Sequence, residues 1–238
     1  MTEVAFPLSS VGPPLRSGVF QHDSRTTLTP EPHPRSASVA DAELHPLAPE
    51  SHIMGMPQAS ATWTSAQIRL LPEDGKRYEV VAGELLVTPA PGRAHQRAVG
   101  GLFLLIATYL ESTGRAEVLF SPADIGIDEH TLVQPDLFVI PLPEGRRSPN
   151  WTDVTTLLLA VEVLSPSTAR YDRLTKRRLY QQQGVEYWIV DLDARIVERW
   201  LPGSDRPEIL AEHLAWQPDP GRPPLVIDLE QLFERVWG

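Results

Sequence analysis

Two acidic residues and a lysine in the second half of the chain have side chains suited to metal-assisted hydrolysis. Asp136 follows a proline, Glu162 is the only charge in the apolar run 157–164, and Lys176 lies further along the chain. Lysine is rare here, since Lys76 and Lys176 are the only two among 21 lysine and arginine residues. A lysine ammonium is a compact point charge that can hold a water or one phosphoryl oxygen, whereas arginine presents a planar fork.

Asp136 is predicted to open a strand, because proline holds its neighbour in an extended conformation. From that position its side chain can point into a cleft. The alternative is an ordinary carboxylate at a strand end or turn.

Glu162 needs a compensating partner, because an unpaired buried carboxylate costs several kcal/mol unless it becomes neutral. An arginine partner, exposure at a strand end or a bound cation could each supply it. A second carboxylate from the neighbouring strand would favour the cation, since two repelling anions are commonly reconciled by a divalent metal.

Lys176 falls in a predicted helix, with Asp172 one turn before it and Tyr180 one turn after it on the same face. Alone, it could form a surface pair with Asp172, worth only a few tenths of a kcal/mol. Together with Asp136 and Glu162 it predicts a site for phosphodiester hydrolysis. There the two acids would hold Mg²⁺ or Mn²⁺ and the ammonium would orient or activate the attacking water.

Further residues are weaker candidates for the same site. Glu79 could add a carboxylate, His95 could contact phosphate or support the site, and Tyr180 could orient Lys176 or contact phosphate. Each also has a purely structural alternative: a solvated strand face, a helix cap and burial against the sheet. Three arginines could supply local phosphate attraction, with a solvated helix face as the alternative: Arg170, Arg173 and Arg177.

Local patterns predict the elements that would position these residues. Helices are expected at 64–71, 95–112, 165–183 and 229–236, from apolar spacing and capping residues. Strands are expected at 77–81 and 84–88, which form a hairpin, and at 116–120, 124–127, 136–140, 156–164, 186–191 and 196–200. This order predicts an α/β fold with one mixed central sheet flanked by helices.

The N-terminal quarter differs in composition from the rest. Residues 1–58 are rich in proline, serine and histidine and have no apolar period, which predicts a disordered extension before a folded domain at 59–238. A translation start at Met54 or Met56 is an alternative explanation.

Composition excludes several classes of function. The net charge of -10 excludes long-range attraction of the whole molecule to nucleic acid, so any such binding must be local. The absence of cysteine excludes disulfides, thiolate metal sites and cysteine nucleophiles. No secretory signal is recognised, and the longest apolar stretches are far shorter than the roughly 20 residues needed to span a bilayer. We therefore expect a cytoplasmic protein without a membrane partner.

Several collinear phrases resemble a known family. They are 77–85 (RYEVVAGEL), 89–91 (PAP) with His95 and Gln96, 133–137 (VQPDL), 161–168 (VEVLSPST) and 184–191 (GVEYWIVD). They are similar to the bacterial Uma-two family of restriction endonuclease-like proteins, within the PD-(D/E)XK nuclease superfamily. The resemblance implies a restriction-endonuclease-like fold in which Asp136 and Glu162 bind Mg²⁺. The lysine usual two residues after the glutamate is replaced by Leu164, and the resemblance moves that role to Lys176.

The main hypothesis is a metal-dependent endonuclease that hydrolyses phosphodiester bonds in DNA. One alternative is a catalytically inactive module of the same fold that binds nucleic acid or mediates assembly. Another is a metal hydrolase for a small phosphorylated substrate. We also expect a homodimer, from apolar positions near Trp200, Leu201, Trp216 and Trp237.

Overall fold

A computed structural model describes residues 62–238. The predicted disordered extension at 1–58 lies outside the described residues, and the domain boundary remains a prediction.

The helices are α1 (Ser65–Ile68), α2 (Arg93–Glu111), α3 (Ala169–Tyr171), α4 (Arg177–Gln182) and α5 (Leu229–Trp237). A π-helical segment, Asp172–Lys176, joins α3 to α4, and Pro143–Gly145 and Trp151–Asp153 are short 3-10 helices. The strands are β1 (Arg77–Val81), β2 (Glu84–Thr88), β3 (Ala116–Phe120), β4 (Ile125–Asp128), β5 (Thr131–Val133), β6 (Leu137–Pro141), β7 (Leu159–Val163), β8 (Glu186–Asp191), β9 (Ile196–Trp200), β10 (Glu208–Leu210), β11 (His213–Trp216) and β12 (Leu225–Asp228).

The central sheet has six strands in the order β10-β9-β8-β7-β6-β3. Only β7 and β8 run parallel in it, and the other neighbours are antiparallel. Residues alternate between the two faces of a strand. Along β7, Val161 and Val163 pack in the core formed with α2 and α5, whereas Ala160 packs in the core formed with α4. Glu162 therefore faces the side of the sheet that carries α4 and the π-helical segment.

The predicted hairpin is present, but it lies outside the central sheet. Strands β1 and β2 pair around Ala82 and Gly83, whose φ angles of 50° and 83° suit a tight hairpin turn. Val80 then pairs with Leu132 of β5, which makes a second sheet in the order β2-β1-β5-β4. The expectation that all strands join one central sheet is therefore corrected. The partner of β1 is β5, whose three residues were too few to be recognised as a strand in the sequence.

Three other predicted features differ in detail. The helix expected at 165–183 begins at Ala169 and is interrupted by the π-helical segment. The strand expected at 156–164 is shorter, since β7 spans Leu159–Val163. Strands β10, β11 and β12 were not predicted, and β11 and β12 form a separate two-stranded ribbon.

None of the helices within residues 62–238 combines the length and apolar character that crossing a bilayer requires.

The tryptophans proposed for a dimer interface are mostly internal. Trp216 is 1% exposed and Trp200 is 9% exposed, and both pack against other residues of the same chain, whereas Trp237 is 49% exposed. The proposed interface is therefore corrected, because this chain's own core already buries Trp200 and Trp216. The homodimer itself remains a prediction.

Candidate active site

The two predicted acids lie at the same end of adjacent antiparallel strands. Asp136 directly precedes β6, and Glu162 lies near the end of β7. Both are almost fully buried, yet both line a cavity of about 710 Å³. The inner wall of this cavity is formed by four carboxylates and three basic side chains: Glu79, Asp136, Glu162, Asp172, Arg77, His95 and Lys176. The structure thus brings Asp136, Glu162 and Lys176 to one place.

Asp136 is held by partners from three elements. Its Oδ1 accepts a hydrogen bond from Nη1 of Arg77 at 2.7 Å, and its Oδ2 lies 2.9 Å from Nε2 of His95. The same Oδ2 accepts a hydrogen bond from the backbone N–H of Val163 at 2.8 Å. Burial alone would raise the pKa of Asp136, but His95, Arg77 and this N–H together lower it below its usual range. Asp136 is therefore an ionised carboxylate at the cavity wall.

Glu162 is paired with the predicted lysine. Nζ of Lys176 donates to Oε1 of Glu162 at 2.8 Å, and it also lies 2.8 Å from Oε1 of Glu79. Burial and repulsion from Asp136, Asp172 and Glu79 push the pKa of Glu162 upward, and the ammonium of Lys176 at 2.8 Å opposes them by stabilising the carboxylate. The charge of Glu162 is thus compensated by a basic side chain of the same chain. That side chain is Lys176, and not the arginine named among the possibilities.

The acids around Lys176 favour its charged form. Its side chain is buried, which would lower its pKa, but Glu162, Glu79 and Asp172 together raise the pKa well above its usual value. An ammonium of this kind donates hydrogen bonds and cannot remove a proton near neutral pH. The alternative of a surface pair with Asp172 does not hold, since Lys176 is 1% exposed and its Nζ bonds to Glu162 on the sheet.

Asp172 is also a site residue, although its place in the sequence indicated only a neighbour of Lys176 on one helix face. Its Oδ1 lies 3.8 Å from Nζ of Lys176, and this buried oxygen has no hydrogen-bond partner within the described residues. The amide of Arg177 bonds to the carbonyl of Asp172 five residues earlier, which widens the helix at this point. Burial raises the pKa of Asp172 to about 6, and Glu79 and Asp136 add to the effect. Its spacing of four residues from Lys176 is the signal that could have identified it.

Glu79 and Arg77 enter the site from one face of β1, two residues apart. Glu79 is 1% exposed, and its Oε1 accepts a hydrogen bond from the backbone N–H of Gln134 at 2.7 Å. The candidate Glu79 thus lies in the cavity, whereas Glu84 on β2 is exposed. Arg77 was missed as a site residue, although the alternation of charged residues along this strand could have indicated it.

The remaining candidates have different positions. His95 lines the cavity from the first turn of α2, and its Nδ1 is buried without a partner among the described residues. Tyr180 is fully buried, packs against Tyr187 with ring centroids 4.7 Å apart, and is not among the residues that line the cavity. Asp124 accepts a hydrogen bond from the side chain of Gln134, and Asp128 accepts one from the backbone N–H of His130, so both act as structural residues.

The three arginines proposed to contact phosphate differ in their partners. Arg173 lines the cavity, but it is paired with Asp191 at 2.8 Å and Glu198 at 2.6 Å. Arg177 stacks on Trp200, with its guanidinium carbon 4.7 Å from the ring centroid. Arg170 is exposed. Of the three proposed phosphate contacts, only Arg170 is therefore free of a charged or aromatic partner within residues 62–238.

The donor set suits a hard divalent cation. The four carboxylates of the inner wall face two permanent cations, Arg77 and Lys176, so the wall carries excess negative charge when the acids are ionised. Within residues 62–238, no three acidic or histidine side chains form a ready-made metal cage. Mg²⁺ does not require one, because it is commonly bound by one or two carboxylates, waters and substrate phosphates. Asp136 and Glu162 therefore fit such an ion, which would replace some of their present partners.

Comparisons with known proteins agree with this architecture. The Uma2 family model, described as "Putative restriction endonuclease", matches residues 65–230. A crystal structure described as a "putative nuclease belonging to DUF820" from Anabaena variabilis is similar, with a TM-score of 0.59 and 18% sequence identity. The match covers 73% of this chain and 99% of that chain. At this identity the likeness shows the fold alone, and it confirms the predicted fold class. No curated protein matches this chain significantly.

Proposed function

Because this chain belongs to the Uma2 family of restriction endonuclease-like proteins, we propose that it is a metal-dependent endonuclease that hydrolyses phosphodiester bonds in DNA. The membership confirms the family resemblance seen in the sequence and assigns the chain to a nuclease family in general terms. The observation that carries the finer proposal is the convergence of Asp136, Glu162 and Lys176 on one cavity. Metal dependence, DNA as substrate and the roles of these residues belong to the proposal.

In the proposed reaction, Asp136 and Glu162 hold Mg²⁺ or Mn²⁺ beside the scissile phosphate. A metal bound there supplies an acidified water and a Lewis acid for the phosphate oxygens. Lys176 orients a water or stabilises negative charge on the phosphate, since its raised pKa keeps it protonated. Arg77 and His95 fix the position of Asp136 through their hydrogen bonds. The exposed Arg170 adds local attraction for the phosphates of the strand.

Incubation of plasmid and single-stranded DNA with the purified protein, with Mg²⁺, Mn²⁺ or EDTA, tests this proposal. Glu162→Gln is the best inactivating variant, because Lys176 keeps its contact with Glu79 and a buried acid is removed. Glu230→Gln, at an exposed position, is the matched control. We expect metal-dependent cleavage by the wild type and the control, and a loss of at least 100-fold in Glu162→Gln, on the order of other losses of catalytic charge stabilisation. Equal cleavage by all three proteins would remove the assignment.

A second candidate is a non-cleaving module that binds nucleic acid or mediates assembly. It is favoured by the present pairing of the site, in which Arg77 and His95 hold Asp136 while Lys176 holds Glu162 and Glu79. Calorimetric titration separates the two functions. Uptake of Mg²⁺ that is lost in Glu162→Gln supports the nuclease, whereas DNA binding without metal uptake or cleavage supports the module.

A further inference from the structure

A second cavity adjoins the candidate active site. It has a volume of about 510 Å³ and shares Arg77, Pro91, His95 and Asp136 with the first cavity. The hydrogen-bonded group formed by Arg77, Asp136 and His95 therefore separates the two spaces. We call the second cavity the side groove. An extended ligand whose phosphate lies against Asp136 on one side has its next group within reach of the side groove.

The far wall of the side groove is apolar and aromatic. It is formed by residues of α2 and β3: Val99, Gly100, Phe103, Leu104 and Phe120. The rings of Phe103 and Phe120 meet edge to face, with centroids 5.1 Å apart. Phe120 is nevertheless 52% exposed and Leu104 is 66% exposed. A contiguous exposed apolar surface beside a polar site is typical of a binding surface.

Gly100 lines the side groove without a side chain. A glycine inside a helix is unfavourable by about 1 kcal/mol relative to alanine, so it usually has a packing reason. Gly101 has one, because an added Cβ would lie 3.0 Å from Leu232. At Gly100 an added Cβ would meet nothing within 4 Å. Gly100 therefore has no such packing reason, and the wall of the side groove has room for a larger side chain at this position.

We propose that the side groove binds an unpaired nucleobase of the strand whose phosphate lies at Asp136 and Glu162. The substrate class would then be single-stranded or locally unpaired nucleic acid, and this inference rests on the proposed nuclease function. Aromatic side chains bind bases by stacking without sequence preference. The exposed amide of Gln96, at the edge of the side groove, offers a donor and an acceptor to the edge of a base. A base in an intact duplex is already stacked and paired, so it cannot enter.

The test fills the side groove without disturbing the acids. Gly100→Leu places a side chain in the open space and replaces a poor helix former by a good one, so the fold is expected to be retained. Thr108→Leu, at an exposed position two turns further along α2, is the matched control. Fluorescence anisotropy is measured with the full chain and a labelled dodecathymidylate, with Ca²⁺ in place of Mg²⁺ to prevent cleavage. The second probe is a strand of equal length and charge made of abasic units.

We expect the wild type and Thr108→Leu to prefer the base-bearing strand by about tenfold, within the range known for base stacking on aromatic residues. Gly100→Leu should bind both strands with the lower affinity, so its preference falls to about one. Equal binding of the two strands by the wild type, or an unchanged preference in Gly100→Leu, would overturn the proposal. Light scattering provides a further check on Gly100→Leu. If this variant changes from dimer to monomer and keeps its preference for the base-bearing strand, the side groove is a subunit contact and the proposal is overturned.

Plasmid and oligonucleotide cleavage with Mg²⁺ or Mn²⁺ separates this inference from the proposed function. Cleavage without any base preference leaves the nuclease and removes the base-binding side groove. Base-dependent binding without cleavage under any metal leaves the side groove and removes the nuclease. Absence of binding and of cleavage removes both.

Discussion

Nζ of Lys176 lies 2.8 Å from Oε1 of Glu162, and neither side chain is more than 3% exposed. The same ammonium lies 2.8 Å from Glu79, so one lysine compensates two buried acids. Charges in such a setting depend strongly on each other, because removing one partner leaves the other buried and uncompensated. The site is therefore sensitive to the loss of any one of its charges.

Replacing Lys176 should destabilise the fold strongly. Lys176→Met leaves Glu79 and Glu162 without their cation, and we expect a loss of about 3 to 5 kcal/mol in the free energy of unfolding, measured by urea denaturation at pH 8. The other lysine provides the control. Lys76 pairs with Asp74 on the surface, where solvent screens the pair, so Lys76→Met should leave the free energy of unfolding nearly unchanged. Similar effects of the two substitutions would contradict the pairing described for Lys176.

Magnesium should stabilise the protein through Glu162. A ligand that binds only the folded state raises the free energy of unfolding by about 2.7 kcal/mol when its concentration is 100 times its dissociation constant. We therefore expect the thermal unfolding midpoint of the wild type and of Glu230→Gln to rise as Mg²⁺ is added. Glu162→Gln should show no such rise. A Mg²⁺ response that is the same in all three proteins would place the ion elsewhere.

Asp172 should make stability depend on pH. Burial raises the pKa of Asp172 from 3.8 to about 6, so the folded protein holds this proton more tightly than the unfolded chain. The resulting stabilisation is fully present below about pH 4 and is lost as the pH rises through about 6. In metal-free buffer, the free energy of unfolding of the wild type should fall by up to about 3 kcal/mol relative to that of Asp172→Asn between pH 4 and pH 7.

Urea denaturation of both proteins at several pH values measures that difference. Asp205→Asn, at an exposed position, should follow the wild type across the whole range. Parallel curves for the wild type and Asp172→Asn would show that Asp172 titrates as in the unfolded chain.

The two arginines Arg170 and Arg177 should differ in their effects. Arg170 is exposed, so Arg170→Ala should weaken DNA binding and reduce the slope of log affinity against log salt by about one. Arg177 stacks on Trp200, so Arg177→Ala should lower the free energy of unfolding by about 0.5 to 2 kcal/mol and leave the salt slope unchanged. Titrations at several salt concentrations measure both slopes. A reduced slope in Arg177→Ala alone would reverse the assignment.

Much of the local structure could be predicted from the sequence. The alternation in 77–88 and the turn at Ala82 and Gly83 predicted the hairpin, and the apolar spacing after His95 predicted α2. These features depend on interactions between residues close in the chain. Strand β5 and the ribbon of β11 and β12 were missed, because their three or four residues carry too little pattern to stand out from loops.

The sequence by itself determined which groups needed compensation: Glu162 in an apolar strand, Asp136 at the start of another strand, and Lys176, one of only two lysines among many arginines. Only the tertiary structure decided which partner each group has. Glu79 reaches Lys176, and Arg77 and His95 reach Asp136, through pairings between segments far apart in the chain. The period of a strand or helix is set by neighbouring residues, whereas the contacts between charges are set by sheet register and helix placement, which no local pattern encodes.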